Sequence, residues 1–168
     1  KNLLCLGDSI TQGIAALHPS RIYPTLLARR FQANVLNHGV GGYVFEADSL
    51  DEQLTYSPDC ITVAYGTNDW GKVDSLQQLS EKVGAYMARL TAIYPQVPIH
   101  VITPFWRHDI EEPKRMGTFA EMTDVIVQAC QAYSNIEVVH GLDLLPHSSF
   151  LFSDGVHPTD AGFDLMAT

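Results

Sequence analysis

Five short apolar runs, separated or followed by stretches of helical periodicity, constrain this chain more than any other feature. Asn2–Leu6, Ala33–Asn37, Cys60–Tyr65, Ile99–Thr103 and Ile136–Val139 are bounded by turn-forming residues and read as short buried strands. Leu76, Leu79, Val83, Met87, Leu90 and Tyr94 recur at intervals of three or four, which makes an amphipathic helical stripe. Asp74 is the expected N-cap of that helix, with Gln77 three residues on, and Pro95 ends it. A second stripe of the same period runs through Met116, Phe119, Met122, Ile126, Cys130 and Tyr133. Shorter helices are expected over Ile22–Phe31 and from Pro158 onward, where proline suits a first helical position. Strand–helix alternation of this kind predicts an α/β domain: a five-stranded parallel sheet with right-handed crossovers and helices on both faces. The 168 residues suffice for one such domain with its own core.

In such sheets ligands bind beyond the carboxyl ends of the strands, and four polar groups fall where that rule directs. Gly7-Asp8-Ser9 follows the first strand, Gly41-Gly42 the second and Gly66-Thr67-Asn68-Asp69 the third, while Asp154-Gly155-Val156-His157 precedes the last helix. Acyl transfer needs these residue types. A serine hydroxyl is a weak nucleophile until a base takes its proton. Histidine titrates near neutrality, and a carboxylate must fix its tautomer. Ser9, His157 and Asp154 can fill those three roles, since a tight turn brings residues 154 and 157 together. The developing oxyanion needs fixed donors, available from the Ser9 and Gly42 backbone N–H groups and the Asn68 side-chain amide. Taken singly, Asp8-Ser9 reads as well as a helix cap, Gly41-Gly42 as a loop, Asn68-Asp69 as a turn, and Asp154 with His157 as a helix start beside a surface histidine. All four in order at strand ends favour catalysis.

At these residues the chain resembles the SGNH (GDSL) hydrolase family, in particular its small bacterial esterases. GDSIT at Gly7–Thr11 is similar to the first family block, with Ile10 where leucine is frequent. NHGVGG at Asn37–Gly42, YGTND at Tyr65–Asp69 and DGVHP at Asp154–Pro158 resemble the other three. The resemblance implies a flavodoxin-like three-layer α/β/α fold and ester hydrolysis through an acyl-enzyme, without metal or other cofactor. It implies catalytic roles for Ser9, Asp154 and His157, with Ser9, Gly42 and Asn68 forming the oxyanion hole. Deacetylases, lipases, thioesterases and acyltransferases share the family, so the blocks do not name the substrate. Some of its small bacterial esterases carry an extra N-terminal β-sandwich, and a chain starting directly at its first strand is expected to be a piece of such a protein.

The remaining features narrow the partners. A formal net charge of −9 and scattered basic residues argue against nucleic acid. Arg29-Arg30 and Lys114-Arg115 are expected on solvated helix faces. No apolar run approaches the roughly 18 residues that span a bilayer. His18, His38, His100, His108, His140 and His147 lack metal-ligand spacing, so no metal is expected. Cys5, Cys60 and Cys130 lie in apolar stretches and are expected as buried free thiols, which favours a reducing compartment such as the cytoplasm. Trp70 follows the third block and Phe105-Trp106-Arg107-His108 the fourth strand. With Asp8 and Tyr43, Trp70 and Trp106 are therefore candidate substrate contacts, although both tryptophans could instead close the core. Leu142–Phe152 could form an apolar lid for a long acyl chain or pack beneath the Asp154–His157 loop. The expected substrate is a short-acyl ester such as an O-acetylated carbohydrate. The rivals are acyl transfer, a thioesterase or lipase, and a non-catalytic binding module. A flavin or nucleotide domain would need a phosphate-cradling glycine pattern, which GDSITQG lacks.

Overall fold

A computed structural model describes all 168 residues. Its strands are β1 Asn2–Gly7, β2 Asn34–Gly39, β3 Cys60–Ala64, β4 Ile99–Ile102 and β5 Ile136–Val139. They form one parallel sheet in the order β2-β1-β3-β4-β5. The helices are α1 Ser9–Gln12, α2 Tyr23–Arg30, α3 Asp69–Lys72, α4 Leu76–Ile93, α5 Phe119–Cys130, α6 Gly141–Leu144 and α7 Asp160–Met166. The chain runs from β1 outward to β2, then passes back over β1 to β3. That reversal opens a crevice at the carboxyl ends of β1 and β3, where a ligand can reach loops that diverge from each other.

Side chains alternate across the strands and so feed two cores. Leu4, Leu6, Ile61, Val63, Ile99 and Val101 point to the larger one, against Leu79, Val83, Met87 and Leu90 of α4 and Met122 and Ile126 of α5. Ala64 and Ile102 point to the smaller one, against Tyr23 of α2 and Phe163 and Met166 of α7. A buried leucine or isoleucine of this kind contributes roughly 1.5–3 kcal/mol, so the two cores hold the helices against both faces. No helix is long and apolar enough to cross a membrane.

Several expected boundaries move for local reasons. Ser75, not Asp74, caps α4: its extended backbone lets the side-chain oxygen accept from Gln78 N–H at 3.2 Å, while Asp74 pairs with Arg115. Met116 precedes α5, because Thr118 and Glu121 form a capping box that starts the helix at Phe119. Pro158 is not at a first helical position. It bridges to Phe152, and Thr159 caps α7. Lys114 and Arg115 lie in the turn closed by the Lys114–Gly117 bridge rather than on a helix. Cys5 and Cys130 are buried free thiols, whereas Cys60 is only half-buried.

Candidate active site

β1 ends at Gly7, and Asp8 caps α1 through a 2.9 Å hydrogen bond accepted from Ile10 N–H. Ser9 is thereby the first residue of a helix standing on the carboxyl end of the sheet. At the far end of the chain, Asp154 accepts from the backbone N–H groups of Val156 at 3.0 Å and His157 at 2.8 Å, a closed local turn. Its other oxygen lies 2.6 Å from His157 Nδ1, and His157 Nε2 lies 2.8 Å from Ser9 Oγ. The order carboxylate–imidazole–hydroxyl is continuous.

What joins the two ends is the smaller core. Ile10, next to Ser9, and Phe163 of α7 are buried in the same cluster, so packing α7 against α1 and α2 sets His157 beside Ser9. Polar contacts reinforce that docking: Leu17 N–H donates to Asp160 at 3.0 Å, and Arg21 pairs with Asp164 at 2.6 Å. Leu145 and Phe152 are buried in this core and Leu144 and Leu151 pack on it, so most of the Leu142–Phe152 segment supports the histidine loop. Phe150 is the exception, fully out in solvent.

The electrostatics of the site divide its carboxyls. Burial would raise the Asp154 carboxyl, but hydrogen bonds from the His157 backbone and ring and from Val156 outweigh it and hold the group down at about 2. Asp154 thus stays ionised against the imidazole, as a tautomer-fixing group must. Asp8 behaves oppositely. Burial pushes its carboxyl up to about 7, opposed by the Ile10 N–H and helped by the neighbouring charge of Asp69.

Gly42 adopts φ +75°, a left-handed conformation that side chains other than glycine resist. Gln12 accepts from Gly41 N–H at 2.7 Å and Lys72 donates to the Gly42 carbonyl, so the Gly-Gly loop is held from both sides. The Asn68 amide donates to the Tyr43 carbonyl at 3.0 Å and lies 3.4 Å from an Asp8 carboxylate oxygen. Ser9, Gly42 and Asn68 lie on the segments that leave β1, β2 and β3 at the carboxyl edge of the sheet, where His157 reaches Ser9 from the turn it shares with Asp154.

Two expected substrate contacts are corrected. Asp8 is 2 % exposed, with one carboxylate oxygen capping α1 and the other 3.4 Å from the Asn68 amide. Trp70 is fully buried in the larger core, edge-on to Phe119, with its indole N–H donating to the Gly117 carbonyl at 3.0 Å. Phe105 is likewise buried. Tyr43 is half-buried beside Asn68. Trp106 is half-buried too, stacked on His147 and tilted on Phe152, at the wall of a cavity of about 570 Å³.

Several residues outside the triad hold these loops in place. Asn37 donates to the Thr11 carbonyl at 2.8 Å and accepts from Gly39 N–H at 2.9 Å, tying β2 to α1. Arg107 donates to the Thr67 carbonyl at 3.1 Å and forks onto Asp109, which also binds Lys114; both cations lie over the Trp70 ring. His108 N–H donates to the Gly155 carbonyl at 2.9 Å, fastening the histidine loop to the segment after β4. Only Asn37, inside the second block, and Arg107 and His108, in the aromatic run after strand four, stood near a recognisable pattern.

Comparison with known proteins agrees with this architecture. The chain superposes on a candidate GDSL-like lipase from Bacteroides ovatus ATCC 8483 with a TM-score of 0.82 and 22% identity, covering 99% of this chain and 50% of that one. A protein from Lactobacillus plantarum gives 0.78 and 20%, covering 99% and 92%. A two-domain esterase active on acetylated mannans gives 0.74 and 17%, covering 99% and 46%. The chain thus spans half or less of two of these proteins and nearly all of the third, and at these identities the likeness is one of fold. No curated protein matches the chain. The profile of the GDSL-like lipase/acylhydrolase family, however, matches residues 5–165, from within β1 to within α7. With that match over nearly its full length, the chain belongs to the GDSL-like lipase/acylhydrolase family of ester hydrolases.

Proposed function

We propose that the chain is a serine esterase acting on short-acyl esters, such as O-acetyl groups on a carbohydrate, with Ser9 as nucleophile. The observation that carries the reading is the unbroken path from Asp154 to His157 to Ser9, at 2.6 and 2.8 Å. Ser9 Oγ attacks the ester carbonyl carbon while His157 Nε2 takes its proton. The carbonyl oxygen becomes an oxyanion among the Ser9 N–H, the Gly42 N–H and the Asn68 amide; losing one such donor typically costs roughly 2.7–4 kcal/mol of barrier. Collapse breaks the bond to the alcohol, which leaves with the proton from His157 Nε2. Water then attacks the acyl-enzyme, giving its proton to His157, and the acid departs as Ser9 Oγ recovers a proton. Asp154 holds the Nδ1 proton throughout and stabilises the imidazolium.

One feature supports a short acyl group. The apolar residues of Leu142–Phe152 are mostly committed to packing, which leaves little of that segment to cover a long chain. The fold neighbour active on acetylated mannans is consistent with acetyl esters of a carbohydrate.

Hydrolysis of p-nitrophenyl acetate, butyrate and octanoate, and acetate release from acetylated mannan, test the reading against a Ser9→Ala variant. Turnover that falls with chain length and vanishes in the variant is expected. Octanoate preferred over acetate would overturn the short-acyl assignment. Turnover that survives in Ser9→Ala would overturn the nucleophile, and an ester product in place of free acid would reassign the reaction to acyl transfer.

A further inference from the structure

We infer that Asp69 is the positioning residue of the oxyanion hole: its carboxylate clamps together the two loops that carry Gly42 and Asn68. The inference rests on the roles proposed above for those two residues. Asp69 is fully buried. Its Oδ1 accepts from Phe45 N–H at 3.1 Å and its Oδ2 accepts from Gly66 N–H at 3.1 Å. Phe45 lies three residues beyond Gly42, and Gly66 two residues before Asn68. One side chain therefore joins the segment leaving β2 to the segment leaving β3.

The sheet cannot supply that link. β1 lies between β2 and β3, so no ladder hydrogen bond runs from one to the other. Asp69 supplies the buried part of the link between the two loops, beside the more exposed Lys72 contact to the Gly42 carbonyl, and an oxyanion hole tolerates little error in donor position. The Asn68 amide, donating to the Tyr43 carbonyl, closes the same gap from the other side. Asp69 also opens α3, accepting Val73 N–H at its carbonyl, so the clamp is rooted in regular structure.

A carboxylate fits this position for a stated reason. Both neighbours are N–H donors, and a carboxylate offers two acceptors and no donor. Asparagine can accept from one of them but must turn its own N–H toward the other, which leaves a buried donor unpaired. Burial pushes the Asp69 carboxyl up to about 6, opposed by the hydrogen bonds from Phe45 and Gly66, and the charge of Lys82 also favours the ionised form.

Asp69→Asn, Asn68→Ala and the double variant, assayed on p-nitrophenyl acetate per folded molecule, test the clamp. Asp69→Asn is expected to lower kcat by about 10- to 10²-fold, part of the loss of a whole oxyanion donor, with KM changed less than about twofold. Because it acts through the same hole, it is expected to add less than about threefold once Asn68 is already alanine. A kcat close to wild type, or losses that multiply fully in the double variant, would overturn the inference. If Asp69→Asn does not fold, the wild-type protein still decides. The Phe45 and Gly66 amide resonances should titrate together with the Asp69 carboxyl carbon, and independent or absent responses would break the clamp. Absence of Ser9-dependent turnover in the wild type would instead defeat the esterase reading and with it the catalytic role of the clamp, leaving that titration to report on the hydrogen bonds alone.

Discussion

His157 Nε2 meets Ser9 Oγ at 2.8 Å although 148 residues of chain separate the two. The contact is made by packing, since Ile10 and Phe163 share a core that brings the first motif and the last helix together. A hydroxyl and its base that act as a unit should not contribute independently. Ser9→Ala and His157→Ala are each expected to reduce kcat to near background, and the double variant to be no worse than either. Multiplying losses in the double variant would mean the two residues serve different steps.

Asp154 makes a separate claim about both rate and pH. Asp154→Asn leaves the shape but favours the wrong imidazole tautomer, and kcat should fall by up to about 10⁴-fold with residual turnover. Its carboxyl is held below the ordinary 3.8, at about 2. A depressed folded-state value stabilises the fold above about pH 4 and is lost as pH falls toward 2. With the side chain 54% exposed the increment is small. Thermal melts should therefore show a shallower decline between pH 4 and 2 in Asp154→Asn than in the wild type. Identical acid limbs would remove Asp154 from that role.

Asp8 should act with the opposite sign. Burial raises its carboxyl from 3.8 to about 7, so the fold binds that proton more tightly than the unfolded chain does. Stability is then fully present below about pH 4 and declines as pH rises to about 7. Asp8→Asn retains an N-cap acceptor for Ile10 N–H and removes the titrating charge. It is expected to melt higher than wild type at pH 8, with the advantage vanishing near pH 4. A variant less stable at pH 8 would show that the charged carboxylate is well satisfied in the fold.

Gly155 tests the histidine loop by sterics alone. Its φ is +83°, and a Cβ there would lie 2.4 Å from His108 Nδ1. Gly155→Ala must adopt a left-handed conformation at a cost of about 1–2 kcal/mol and displace His108 as well. A loss of kcat of about tenfold or more is expected, partly recovered in Gly155→Ala/His108→Ala, where the overlap is relieved. A fully active Gly155→Ala would show that the loop tolerates movement without disturbing His157.

Which parts of this protein follow from local pattern can be read from its errors. Strand β2 extends two residues beyond the apolar run that announced it, because His38 and Gly39 break the pattern yet still pair with β1. The α4 cap sits at Ser75 rather than Asp74, a choice made by one residue's extended backbone and not by residue type. Trp70 directly follows the third block and is expected to face the site, but the short α3 turns its ring into the larger core. Asp69 carried no separate expectation, since the two N–H groups it accepts come from segments 24 and 3 residues away.

By itself the sequence determined the five strands, the amphipathic stripes of α4 and α5, and the pairing of Asp154 with His157. Each of these depends on periodicity or on contacts within a single turn, where backbone geometry leaves few alternatives. The tertiary structure supplied the contact between Ser9 and His157 itself, chose burial for Asp8 and Trp70, and set Asp69 across the gap left by the strand order. Those outcomes depend on which faces pack together and how much water the packing excludes, and neither is encoded in any one stretch of chain.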